Sequence, residues 1–116
     1  MPYQVAEHLG YVQLTLSGIL DEATLAISAN DAERIVRNRK VLVDFSAITA
    51  IDFEVHRLAT YASANEAQGL KVAAFAPTDF LFAINRQALL LAGVEEGVSA
   101  GVFREVDDAL SWLLAS

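Results

Sequence analysis

A chain of 116 residues and 12.5 kDa is one domain's worth of protein, able to bury about two thirds of its unfolded surface around a single core. Its 54% hydrophobic content exceeds the usual share for a soluble domain and excludes disorder, while no apolar run approaches the ~18 residues of a membrane span. The lack of Cys excludes disulfides, thiolate metal sites and cysteine nucleophiles, and a net charge of −7 argues against nucleic acid and anionic membranes as partners.

The N-terminal stretch MPYQVAEHLGYV has neither the basic nor the apolar region of a signal peptide, so a cytoplasmic protein is expected. The apolar surplus must go into a sheet covered on both faces or onto a surface that binds something.

Tyr3 to His8 reads as a strand, and Tyr11 to Leu16 as a second that alternates and is rich in β-formers. Leu9-Gly10 between them predicts a hairpin, closed by Gly18. Asp21-Glu22 then opens a predicted helix, with Leu25, Ala29, Ala32 and Val36 at helical spacing and Arg37, Arg39 and Lys40 at its end. KVLVDF, from Lys40 to Phe45, reads as a buried strand, and Ser46 to Ile51 as the connection leaving it. Asp52 is placed to cap a second helix with Val55, Leu58, Ala59 and Ala62 as its core stripe and Gly69 at its end. LKVAAFA, from Leu70 to Ala76, is the next strand, stopped by Pro77. Asp79 is expected to cap a third helix that runs to Ala92 and stops at Gly93. Val98 to Phe103 is the last expected strand, and Glu105 to Leu114 the last helix.

The order is ββαβαβαβα over residues 1–116, a single α/β domain with about five strands, mostly parallel, and about four helices. The hairpin supplies the antiparallel exception.

Little catalytic chemistry is available. His8 ends a strand beside a turn, and His56 stands alone on a helix. There is no H-x-x-x-H pair, no G-x-S-x-G elbow, no P-loop and no G-x-G-x-x-G, so no metal or nucleotide cofactor is expected. Asp44 and Asp52 lie near the carboxyl end of a parallel strand, where open α/β sheets bind ligands. A metal-assisted enzyme would have to use Asp44, Asp52 and His56. The plainer reading is that Asp44 satisfies loop amides and Asp52 caps a helix.

The stretch KVLVDFSAITAIDFEVHRLATYA, Lys40 to Ala62, resembles the signature of the STAS family, which includes bacterial anti-sigma factor antagonists and SpoIIAA-like domains. Asp44, Ser46, Ile48, Ile51 and Asp52 follow that pattern in order and spacing, and Gly18-Ile19-Leu20-Asp21 and Ala109-Leu110 match its earlier and later motifs. The resemblance implies that Asp52 and Phe53 lie on a partner-facing surface, with an anti-sigma-type regulator as the kind of partner; Ser46 and Thr49 are hydroxyls of the same loop, and His56 and Arg57 extend the expected partner-binding surface along the helix. It also implies a Ser or Thr after the conserved Asp, phosphorylated by a partner kinase. Phe53 stands there instead, and a phenyl ring cannot accept a phosphate. Some SpoIIAA-like branches lack that Ser as well, and lipid binding has been suggested for them.

The third helix, DFLFAINRQALLLA, is apolar almost all round. Phe80, Ile84, Ala88 and Leu91 form one stripe; Phe82 and Leu89 project from the other side beside Asn85 and Arg86. Phe82, Arg86 and Leu89 are therefore candidates for an interface or ligand patch, a homodimer contact included. The leading expectation is a non-enzymatic regulatory or protein-interaction module without the usual phosphorylation switch. A small apolar ligand or lipid carrier is the alternative, for which a cavity beneath the third helix is the discriminating observation. An enzyme comes last.

Overall fold

The computed structural model describes residues 3–52 and 54–115. Its elements are β1 (Tyr3–His8), β2 (Tyr11–Leu20), α1 (Ala29–Asn38), β3 (Lys40–Ile51), α2 (Val55–Ala67), β4 (Lys71–Phe75), α3 (Asp79–Ala92), β5 (Ala100–Phe103) and α4 (Val106–Leu114). They form one five-stranded sheet whose spatial order is the chain order, β1-β2-β3-β4-β5. β1 and β2 pair antiparallel, Tyr3 opposite Leu16 and His8 opposite Tyr11, and all other neighbours are parallel. The hairpin turns on Gly10 at φ +89°, which a side chain would resist.

This strand order fixes where the helices go. The crossovers β2–α1–β3, β3–α2–β4 and β4–α3–β5 all step the same way across the sheet. Right-handed crossovers then put α1, α2 and α3 on one face. The packing agrees. Val41, Phe45, Ala74 and Val102 share a core with Ile35, Ala62, Leu81 and Leu89. On the other face, Leu42 and Ala73 pack on Ala109 and Leu113 of α4.

Four local expectations are corrected. No helix spans residues 21–28: Asp21 Oδ1 accepts from the Thr24 amide at 2.9 Å, and the buried Thr24 hydroxyl lies 2.7 Å from the Ile19 carbonyl. That local bonding holds the chain in turns. α1 starts at its N-cap, Ser28, whose hydroxyl accepts from the Asp31 amide at 3.2 Å. The segment from Ser46 to Ile51 is strand rather than connection, since it stays paired with Ser17–Leu20 through two shifts of register. Asp52 does not cap α2: Glu54 holds that position, without a side-chain bond to the helix. Thr78 rather than Asp79 caps α3, accepting from the Leu81 amide at 3.2 Å.

α3 is also rotated from the expected phase. Its buried residues are Leu81, Asn85, Ala88 and Leu89, while Phe80, Leu90 and Leu91 face solvent. Asn85 can face inward because its amide donates to the Leu81 carbonyl one turn back, at 2.9 Å.

Candidate functional site

Two regions hold the residues singled out by sequence. The first is the carboxyl end of β3 and the start of α2. β4 stops at Phe75, paired with Asp44, so β3 runs on beyond its neighbour with only β2 beside it. Asp44 turns back on its own chain, its Oδ1 accepting from the Ser46 amide at 2.8 Å. Ser46, Thr49 and Asp52 are exposed along this extension, and the Asp52 amide donates to the Leu20 carbonyl at 2.9 Å. His56 and Arg57 are exposed on the first turn of α2. His56 Nδ1 lies 2.8 Å from Glu54 Oε2, and Arg57 pairs with Glu22. Phe53 lies outside the described residues. The structure thus gathers Ser46, Thr49, Asp52, His56 and Arg57 at one end of the sheet. Their charges are matched within the chain or open to water. Among the described residues, no cluster of three or more metal-ligating side chains occurs.

Of the expected patch, Phe82 and Arg86 stay at the surface while Leu89 turns inward. Leu89 is buried in the core. Phe82 is half-buried, with the guanidinium groups of Arg86 and Arg104 at 5.6 Å and 5.4 Å from its ring centre. Arg86 also bonds Glu96 at 2.8 Å. The rotation of α3 separates these residues: one belongs to the interior and two to a cation–π cluster.

The second region is one that motif reading missed. A cavity of about 500 Å³ lies between the sheet and the helices on its three-helix face. Its floor includes Leu14, Val43, Val72 and Val102 from β2 to β5. Ala32 and Ile35 of α1, Leu58 and Ala62 of α2, and Asn85 and Leu89 of α3 form its walls. Val36 of α1 and Tyr61 of α2 also line it and are 37% and 39% exposed, so the cavity reaches the surface between these helices. The volume falls in the range of small-molecule sites.

The cavity explains α1. That helix is strongly amphipathic, yet none of its residues is buried. Its apolar side, Ala32, Ile35 and Val36, lines the cavity, and Ile35 packs in addition against the edge of the core. α1 is held from its polar side and its ends. Arg34 Nε and Asn38 Nδ2 donate to the Glu7 carboxylate at 3.1 Å and 3.0 Å, and the Tyr3 hydroxyl donates to Asp31. These donors hold both carboxyls below the ordinary carboxylate range: Asn38 and then Arg34 at Glu7, Tyr3 and then Ser28 at Asp31. The signals in the sequence were indirect: the apolar surplus, and small residues such as Ala62, Ala74 and Ala88 where a filled core would carry larger ones.

The lining is mostly apolar, with Tyr61, Asn65, Gln68, Asn85 and Ser99 as its neutral polar residues. Among the described residues that line it, Glu66 is the one acidic or basic residue; it is exposed and accepts from the Ser99 hydroxyl at 2.9 Å.

No family model and no curated protein matches the chain. Solved structures do. One is an uncharacterised DUF3478-family protein with a SpoIIAA-like fold from Shewanella loihica PV-4, at 15% identity and TM-score 0.55, covering 96% of this chain and 91% of that one. Another is an anti-sigma factor antagonist from Mycobacterium paratuberculosis, at 20% identity and TM-score 0.54, covering 96% and 92%. At these identities the likeness concerns architecture, and it extends over nearly the whole length of each chain. The resemblance read from Lys40 to Ala62 and this architecture agree: the chain has a SpoIIAA-like fold.

Proposed function

We propose that this protein is a non-enzymatic binding module that holds a small apolar molecule between its sheet and its helices. The observation that carries this reading is the cavity of about 500 Å³, lined mostly by apolar side chains and roofed by a helix with no buried residue. A chain with 54% hydrophobic residues could have closed this space with larger side chains. A cavity roofed by α1 and walled in part by Asn85, Ala88 and Leu89 of α3 supports the small-ligand alternative over the interaction module.

The test is titration of the protein with 1-decanol, followed by backbone amide NMR. Saturable shifts at Val43, Val72 and Ala88, which line the cavity, are expected. Shifts confined to exposed residues such as Phe80 and Leu90, or none, would sink the reading.

A second reading keeps the protein-interaction role. It is favoured by the fold shared with an anti-sigma factor antagonist and by the exposed row Ser46, Thr49, Asp52, His56 and Arg57. In this reading the partner is an anti-sigma-type regulator, and Phe53 removes the phosphorylation switch. The chain works in a bacterial cytoplasm, with self-association through Phe80, Leu90 and Leu91 in place of the buried Leu89. Binding of a purified anti-sigma-type regulator, compared between wild type and Asp52→Lys, tests it. Unchanged affinity in the variant would remove this surface from the account. Light scattering of wild type and Leu90→Asp tests the dimer; a monomeric wild type would end it.

A further inference from the structure

We propose that the molecule held in the cavity is uncharged and carries a hydrogen-bond donor that meets the side-chain oxygen of Asn85. The inference rests on the ligand-binding reading and specifies its chemistry.

Asn85 lies in the middle of α3 and lines the cavity. It is 7% exposed, one of two buried polar side chains among the described residues. Its amide nitrogen donates to the Leu81 carbonyl at 2.9 Å, which fixes which end of the side chain is the nitrogen. The side-chain oxygen accepts no hydrogen bond from any described residue. It is also not sealed from open space, since among the described residues no fully buried side-chain polar atom lacks a partner. The open space that Asn85 lines is the cavity. The other polar lining residues, Tyr61, Asn65, Glu66, Gln68 and Ser99, are half-buried or exposed, so Asn85 alone among them is buried, and its carbonyl oxygen is an acceptor waiting for a donor. The other buried polar residue, Thr24, is engaged with Ile19 and Asp21 and does not line the cavity.

The charge inventory sets the rest. Among the described residues no Lys, Arg or His lines the cavity, and Glu66 at its rim is acidic. A carboxylate or phosphate head drawn inside would lose its water without gaining a cation. Arg39 is exposed beside Gly69, outside the lining, so it offers an anion a place in solvent and not in the interior. The cavity holds about 16 heavy atoms, at the roughly 30 Å³ that each water occupies in the liquid. A medium-length aliphatic alcohol, or a compact apolar molecule with one hydroxyl, fits both size and polarity.

The experiment compares 1-decanol, decyl methyl ether and decanoate by calorimetry, on wild type and on Asn85→Leu. In wild type the alcohol should bind about fivefold to tenfold more tightly than the ether, the scale of one net hydrogen bond. It should bind at least tenfold more tightly than decanoate. In Asn85→Leu the advantage of alcohol over ether should vanish while ether binding persists. The side-chain amide resonances of Asn85 should shift with the alcohol and stay in place with the ether. Equal binding of alcohol and ether to wild type, which needs no variant, would overturn the proposal. So would decanoate binding as tightly as the alcohol, or an alcohol advantage that survives in the variant. Binding of none of the three would instead overturn the cavity reading itself, and this proposal with it.

Discussion

The Tyr3 hydroxyl donates to Asp31 Oδ2 at 2.7 Å and accepts from the Ser28 amide at 3.1 Å, so a buried residue of β1 grips the first turn of α1. This grip borders the cavity lining, Tyr3 lying opposite Leu16, Ser28 beside Ile27 and Asp31 beside Ala32, and it positions the helix that roofs the cavity. Tyr3→Phe should lower the thermal midpoint by about 5 °C, the scale for one net hydrogen bond in a domain of this size. Calorimetry measures it, and no change would mean that α1 is held by other contacts.

Acid should loosen α1. The Tyr3 and Ser28 hydrogen bonds hold Asp31 below the ordinary carboxylate range, Asn38 and Arg34 do the same for Glu7, and the Thr24 bonds do it for Asp21. A depressed folded value stabilises the fold above the unfolded carboxyl pKa of about 4. That contribution disappears as pH falls through the depressed values. Amide exchange followed from pH 7 downward should therefore show protection of α1 falling ahead of that of β3 and β4. Uniform loss across the sheet and α1 would contradict this.

Ser28 and Asp52 should respond differently to alanine. Ser28 caps α1 and bonds Asp31 in return, its hydroxyl 3.0 Å from Asp31 Oδ2. Ser28→Ala should cost about 1 kcal/mol. The Asp52 side chain caps no helix, and Asp52→Ala should stay within about 0.5 kcal/mol of wild type. Denaturant melts of both variants decide it; a large loss at Asp52 would restore the capping role that the sequence suggested.

The two faces of the sheet should tolerate volume differently. Ala74 lines the cavity in register with Val43 and Val102. Ala74→Leu adds volume where there is room, so stability should hold or rise by up to about 1 kcal/mol, with loss of 1-decanol binding. Leu113 is fully buried against Leu42, Ala73 and Ala109 on the other face. Leu113→Ala should cost about 2–5 kcal/mol. A severe loss at Ala74 would mean that the space above it is filled.

Lys71 ties down the end of α4. Its Nζ donates to the carbonyls of Trp112 and Ala115 at 2.7 Å and 3.1 Å and lies 4.5 Å from the Trp112 ring centre. Lys71→Met should destabilise by about 1 kcal/mol. As Trp112 is the sole Trp, its fluorescence reports on this end directly. An unchanged emission spectrum and midpoint would count against the tie.

The fold was legible where side chains leave no choice. KVLVDF and LKVAAFA are apolar β-forming runs, the second stopped by Pro77, and both are strands. Leu9-Gly10 between alternating runs marked the hairpin. The start of α1 was misread because acidic residues before an apolar stripe suit a helix N-terminus, whereas Asp21 and Thr24 bond to each other and to nearby backbone. The phase of α3 was ambiguous because apolar residues surround it. Asn85 was read as outward, and its bond to its own helix removed the reason. The cavity had no motif at all, since a space shows in a sequence only through the smallness of the residues around it.

The absence of buried residues from α1 bears on timing as much as on shape. A roof fastened by polar contacts at its edges and by little more than Ile35 at the core can lift without dismantling the core, so it belongs to the first parts of the molecule to open. Uptake would then wait on that opening. Observed association rates should climb with ligand concentration and level off at the opening rate of α1. Loosening the Tyr3 grip should raise that plateau, giving faster capture and faster release together.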